Sequence, residues 1–145
     1  MNRSETRRVA FELLYSLCIQ KLDVNEYGEQ LEIFFENNQI EEEKTKDYIQ
    51  DIVYGVEKNK KDILELINGE LSEKWQLSRI FKVNLVILEL AVYEILYKKL
   101  PYKVVVNEAV EIAKAYGDEN ASSFVNGILA SIIKKNNIEE GATKE

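Results

Sequence analysis

Residues Ser78 to Tyr97 read SRIFKVNLVILELAVYEILY, and this stretch decides the fold class. Ile80, Phe81, Val83, Leu85, Val86, Leu88, Leu90, Ala91, Val92 and Ile95 leave almost no polar side to a helix drawn through them. A helix apolar nearly all round must be enclosed by others, so the stretch predicts the central helix of a bundle over 78–97. Pro101, the single proline in 145 residues, stops it.

Working outward, the same periodicity recurs on both sides. Toward the C-terminus, Val104 to Tyr116 predicts a helix. Val104, Val105 and Val106 alone would suit a strand, but Ala109, Val110, Ile112 and Ala113 follow at helical spacing, and Gly117 suits a C-cap. Ser122 to Lys135 predicts a last helix with Phe124, Val125, Ile128, Leu129, Ile132 and Ile133 inward. Toward the N-terminus, Ser4 is the expected N-cap of a first helix whose face is Val9, Ala10, Leu13, Leu14, Leu17 and Cys18. A second helix is expected over Asn25 to Glu36, and a long third from Ile40 to Gly69 with Glu41, Glu42 and Glu43 in its first turn. Residues 70–78 form a link around Trp75. Six or so helices and no convincing strand predict an all-α protein. The expected domain spans 1–136, with subdomains at about 1–70 and 78–136 and a polar, disordered tail over 137–145.

Composition narrows the function classes. The chain has no histidine and one cysteine, Cys18, which removes internal disulfides, the usual zinc sites and every Ser–His or Cys–His nucleophile pair. Cys18, on an apolar face, is expected to be a buried structural thiol. There is no glycine-rich phosphate loop and no dinucleotide fingerprint, so neither an enzyme nor a cofactor is expected. Three consecutive carboxylates at 41–43 cannot converge on one ion from one helix face, so no metal is expected there. No apolar run reaches the roughly 18–20 residues a membrane span needs, and the opening MNRSETRR is not a signal peptide. A cytoplasmic protein is expected.

The net charge of −7 is uneven: +2 over residues 1–22, −10 over 23–73 and +1 over 74–145. That balance opposes indiscriminate nucleic-acid binding and leaves room for a local basic site. Arg7 and Arg8, with Arg3 just before them, stand near the start of the first helix. Cations there oppose the helix dipole at about 0.3–1 kcal/mol each. Either they are ordinary surface arginines or an anionic ligand explains them, since guanidinium forks fit phosphates and base edges. Asn107 and Asn126 fall inside apolar helical segments, where buried asparagines ordinarily satisfy backbone groups. Phe124 is either a core ring or a platform for a base. Lys114 is by default a surface charge.

Four blocks, taken together, change that balance: Arg7-Arg8-Val9-Ala10-Phe11-Glu12-Leu13-Leu14-Tyr15; Trp75 and Arg79 with Ile87-Leu88-Glu89-Leu90-Ala91-Val92-Tyr93-Glu94; Pro101 to Gly117, PYKVVVNEAVEIAKAYG; and Phe124-Val125-Asn126-Gly127-Ile128-Leu129. In order and spacing they resemble the NusB family of bacterial transcription antitermination factors. The resemblance implies two three-helix bundles side by side. It also implies pairing with the small-subunit ribosomal protein NusE, binding of boxA in nascent ribosomal RNA, and action within the elongation complex of RNA polymerase with other Nus factors. By the same resemblance Arg7 and Arg8, with Arg3, take part in RNA contact, and Lys114, Phe124 and Asn126 lie near the RNA surface. Glu89 stands where the family commonly has arginine. A different class of reading is an acidic helical protein–protein adaptor, using the −10 segment, with little RNA contact.

Overall fold

A computed structural model describes residues 1–72 and 76–139; Trp75 and the end of the expected tail lie outside the described residues. Among the described residues there are seven α-helices and no strand. The chain divides into two compact units, Met1–Lys58 and Asn59–Glu145.

The first unit holds three helices. α1 (Arg3–Gln20) begins one residue before the expected Ser4 cap, because Asn2 does the capping: its Oδ1 accepts the Glu5 backbone N–H at 2.8 Å. The Thr6 hydroxyl donates to the Asn2 carbonyl at 2.9 Å and reinforces that turn. The expected face of Val9, Ala10, Leu13, Leu14 and Leu17 is buried, whereas Cys18, expected to be buried, is half-exposed at its margin. A 3₁₀ turn over Val24–Glu26 leads into α2 (Tyr27–Asn37), which buries Tyr27, Leu31 and Phe35. α3 (Glu43–Lys58) packs on α1 and buries Ile49, Ile52, Val53 and Val56. Only Glu43 of the three glutamates lies in its first turn; Glu42 precedes the helix and accepts the Thr45 hydroxyl at 2.8 Å.

The expected long third helix ends at Lys58. Asn59 leaves helical geometry (φ −105, ψ 14), and α4 (Lys60–Gly69) starts afresh and belongs to the second unit. Periodicity runs unbroken from Val56 through Lys60 to Ile63, so nothing in the pattern marked the interruption. Asn59 is the kind of residue that tolerates it, since its side chain competes with helical backbone hydrogen bonds.

In the second unit, a 3₁₀ turn (Leu77–Arg79) precedes α5 (Lys82–Val92), which therefore starts later than expected. Every residue from Val86 to Val92 is buried, and α4, α6 and α7 all pack against this helix, as an all-round apolar helix requires. Its last turn relaxes into a π turn over Tyr93–Tyr97. α6 (Tyr102–Tyr116) follows Pro101, whose missing N–H is harmless at a helix start. Of the three valines only Val105 is buried, and Ala109, Ile112 and Ala113 continue its face at helical spacing. α7 (Ala121–Lys135) returns along α6 as its antiparallel partner. Gly117 makes the sharp connection possible: a Cβ there would collide with the Ala121 side chain and lie 2.9 Å from the Ala113 carbonyl oxygen. Each fully buried isoleucine, such as Ile63 or Ile67, contributes about 1.5–3 kcal/mol to this core.

Candidate functional site

The three arginines of α1 do not form one surface. Arg7 is 2% exposed and is held in an interaction inside the protein, so its guanidinium is turned away from solvent. Arg7, expected among the RNA contacts, is thus enclosed within the packing of α1. A step of about 100° per residue explains the outcome: Arg7 shares the inward side of α1 with Ala10, Phe11 and Leu14, whereas Arg8 turns outward and is exposed. Arg3 is exposed, with its guanidinium carbon 4.2 Å from the centroid of the Tyr48 ring on α3. That cation–π contact, worth about 0.5–1 kcal/mol at a surface, holds the side chain against α3.

The second unit carries the other expected residues on its α6–α7 hairpin. Lys114, in the last turn of α6, is exposed and pairs with Glu111 at 3.3 Å. Both side chains are more than half exposed, so the pair is weak and open to exchange for another anion. Phe124 is half-buried at the start of α7, so its ring is shared between core and solvent. Asn126 is exposed, and so is Asn107. The expectation of buried asparagines is thus corrected: both face outward from helices whose opposite sides are apolar. Phe124 and Asn126 lie about 200° apart around α7 and do not share a face.

Asn107 and Asn126 come together in a groove between α6 and α7, with a volume of about 500 Å³. Val106, Val110, Ala130 and Ile133 make its apolar floor, and Tyr102, Lys103 and Lys134 gather at one end. Lys103 and Lys134 were not singled out in the sequence. The signal was present in the spacing Lys103, Asn107, Val110, Lys114, which places all four within about 60° around α6. Lys114 therefore continues the line of the groove beyond Val110.

The NusB family model matches residues 4–134. The transcription antitermination protein NusB of Clostridium acetobutylicum is 44% identical over 134 residues, covering 92% of this chain and 96% of that protein. Its counterpart in Clostridium novyi is 43% identical, covering 92% and 99%. Among solved structures, T. maritima NusB superposes with a TM-score of 0.81 at 35% identity, covering 93% of this chain and 92% of that one. A chain from the complex of antitermination factors NusB and NusE with double-stranded RNA superposes with a TM-score of 0.80 at 28% identity, covering 93% and 99%.

Proposed function

Because the chain belongs to the NusB family, we propose that it is an RNA-binding transcription antitermination factor. It pairs with the small-subunit ribosomal protein NusE and binds boxA in nascent ribosomal RNA within the elongation complex. It is a binding protein and not an enzyme. The observation that carries the reading is the likeness, across 93% of the chain, to a NusB complex that contains both NusE and RNA. Among the described residues no helix is long and apolar enough to cross a membrane. A factor acting on nascent transcripts works in the cytoplasm.

The residues assigned to RNA follow from exposure and charge. Arg8 and Arg3 on α1 present guanidinium groups to phosphates and base edges, Arg3 steadied by Tyr48. On α6 and α7, Lys114 exchanges its surface partner Glu111 for a phosphate, Phe124 offers the solvent side of its ring for stacking, and Asn126 offers a side-chain amide. Arg7 acts behind these residues by fixing the packing of α1.

The test is a fluorescence-anisotropy titration of a boxA oligonucleotide with this chain, with and without NusE, against a scrambled RNA. Tighter binding to boxA than to the scrambled RNA is expected, and NusE strengthens it. Affinity falls as salt rises, because each phosphate contact releases counterions. Binding of NusE with no RNA affinity in any mixture would overturn the RNA reading and favour the acidic adaptor.

A further inference from the structure

We propose that the α6–α7 groove is a nucleotide-binding subsite that reads one base of the bound RNA strand, with adenine the preferred base; this rests on the RNA-binding reading above. Four observations point there. The groove holds about 500 Å³, within the roughly 300–1,000 Å³ of small-ligand sites. Two asparagine side chains, Asn107 from α6 and Asn126 from α7, line it; each carries both a donor and an acceptor. Its floor of valine, alanine and isoleucine offers an aromatic base a dry surface to lie on. Its lining carries two lysines, Lys103 and Lys134, and no carboxylate, in a chain whose net charge is −7.

The order of these groups along the hairpin matches the parts of a nucleotide. Because α7 returns along α6, the lining residues at the start of α6, Tyr102 and Lys103, lie toward those at the end of α7, Ile133 and Lys134. From Asn126 to Lys134 is about 12 Å along α7. A base held by the amides therefore has its phosphate within reach of the lysines, and Tyr102 flanks that end. In the other direction the α6 stripe runs on to Lys114, so a strand leaving the groove meets the cation already assigned to RNA. The absence of carboxylates admits an anion, and the paired amides with the continuity to Lys114 favour an RNA strand over an acidic peptide. Side-chain amides pair in bidentate fashion with the N6 and N7 edge of adenine, which sets the expected preference.

The experiment uses the full chain labelled with ¹⁵N, titrated separately with adenosine 5′-monophosphate, uridine 5′-monophosphate, inorganic phosphate and a short acidic peptide rich in leucine. The side-chain amide signals of Asn107 and Asn126 are expected to move saturably with the adenosine nucleotide and less with the uridine nucleotide. Asn126→Leu removes one reader. Ala130→Trp plugs the floor from an exposed position that does not enter the core. Each is expected to weaken binding of an adenine-containing single-stranded oligonucleotide about tenfold, while the backbone spectrum stays folded. Equal movement with inorganic phosphate alone, a response only to the peptide, or unchanged RNA affinity in both variants overturns the groove assignment. If boxA still binds the unmodified chain with NusE in those cases, the functional reading stands without the groove. If boxA does not bind at all, both fall.

Discussion

Arg7 and Arg8 are neighbours in sequence with opposite fates, and replacing each by alanine separates packing from contact. Arg7 is among the largest fully buried side chains and is held in an interaction inside the protein. Arg7→Ala removes a long side chain and leaves its partner group in the interior without it. Truncating so large a buried side chain to alanine costs about 3–5 kcal/mol, as other large-to-small interior substitutions do. Against a typical domain stability of about 5–15 kcal/mol, that is a large share. For a chain of this size each kcal/mol moves the melting temperature by about 3–4 °C, so Tm should fall by about 10–20 °C. Arg8 is exposed, and Arg8→Ala should change stability by no more than about 0.5 kcal/mol. Its effect belongs to RNA: affinity for boxA drops and the slope of log affinity against log salt becomes shallower by about one contact. Thermal melts followed by circular dichroism, with anisotropy titrations at several salt concentrations, measure both quantities on the same samples. If Arg7→Ala melts within a few degrees of the parent, the packing role is refuted. If it also loses RNA affinity while folded, Arg7 returns to the set of direct contacts.

Three further outcomes follow from particular contacts. Asn2→Ala removes the side chain that caps α1 and should cost about 0.5–2 kcal/mol, read as a lower urea midpoint with an unchanged slope. Gly117→Ala forces a methyl group against Ala121 and the Ala113 carbonyl, and should cost about 1–3 kcal/mol; a melting temperature equal to the parent's would show that the connection yields freely. Tyr97 has its pKa raised above the ordinary value, first by burial and then by the nearby Asp62 carboxylate. The neutral phenol is the favoured form in the folded state. Its small contribution to stability is therefore complete below about pH 10 and is lost as pH rises through the folded value. Ultraviolet titration of the parent against Tyr97→Phe isolates this phenol, and Asp62→Asn should bring its ionisation part of the way back.

Much of the helical architecture was legible because helix formation and amphipathicity are local. The faces of α1, α5, α6 and α7 are written at spacings of three and four, and the all-round apolar run at Val86–Val92 identified the helix that the others enclose. The interruption at Asn59 was not legible, since the apolar spacing continues straight through it. The start of α1 differs by two positions because Asn2 and Ser4 are both good caps, and which one bonds depends on the path of the incoming chain. The late start of α5 has the same character: Phe81 is apolar, yet it stands exposed ahead of the helix.

For the site, residue types alone set aside histidine-based catalytic pairs and drew notice to arginines set against a helix dipole. They also spell the blocks that resemble the NusB family, from which the proposed partner and RNA follow. What they did not establish is which of those side chains reach solvent. Arg7 and Arg8 are chemically identical; the helical step puts Arg7 on the side of Ala10, Phe11 and Leu14, but only packing over that side encloses it. Asn107 and Asn126 are far apart in the chain, and only the antiparallel return of α7 along α6 sets them across one groove with Lys103 and Lys134. Helical periodicity is a property of neighbours along the chain, so the sequence carries it openly. Burial and juxtaposition are properties of neighbours in space, and they come into being only when the helices pack.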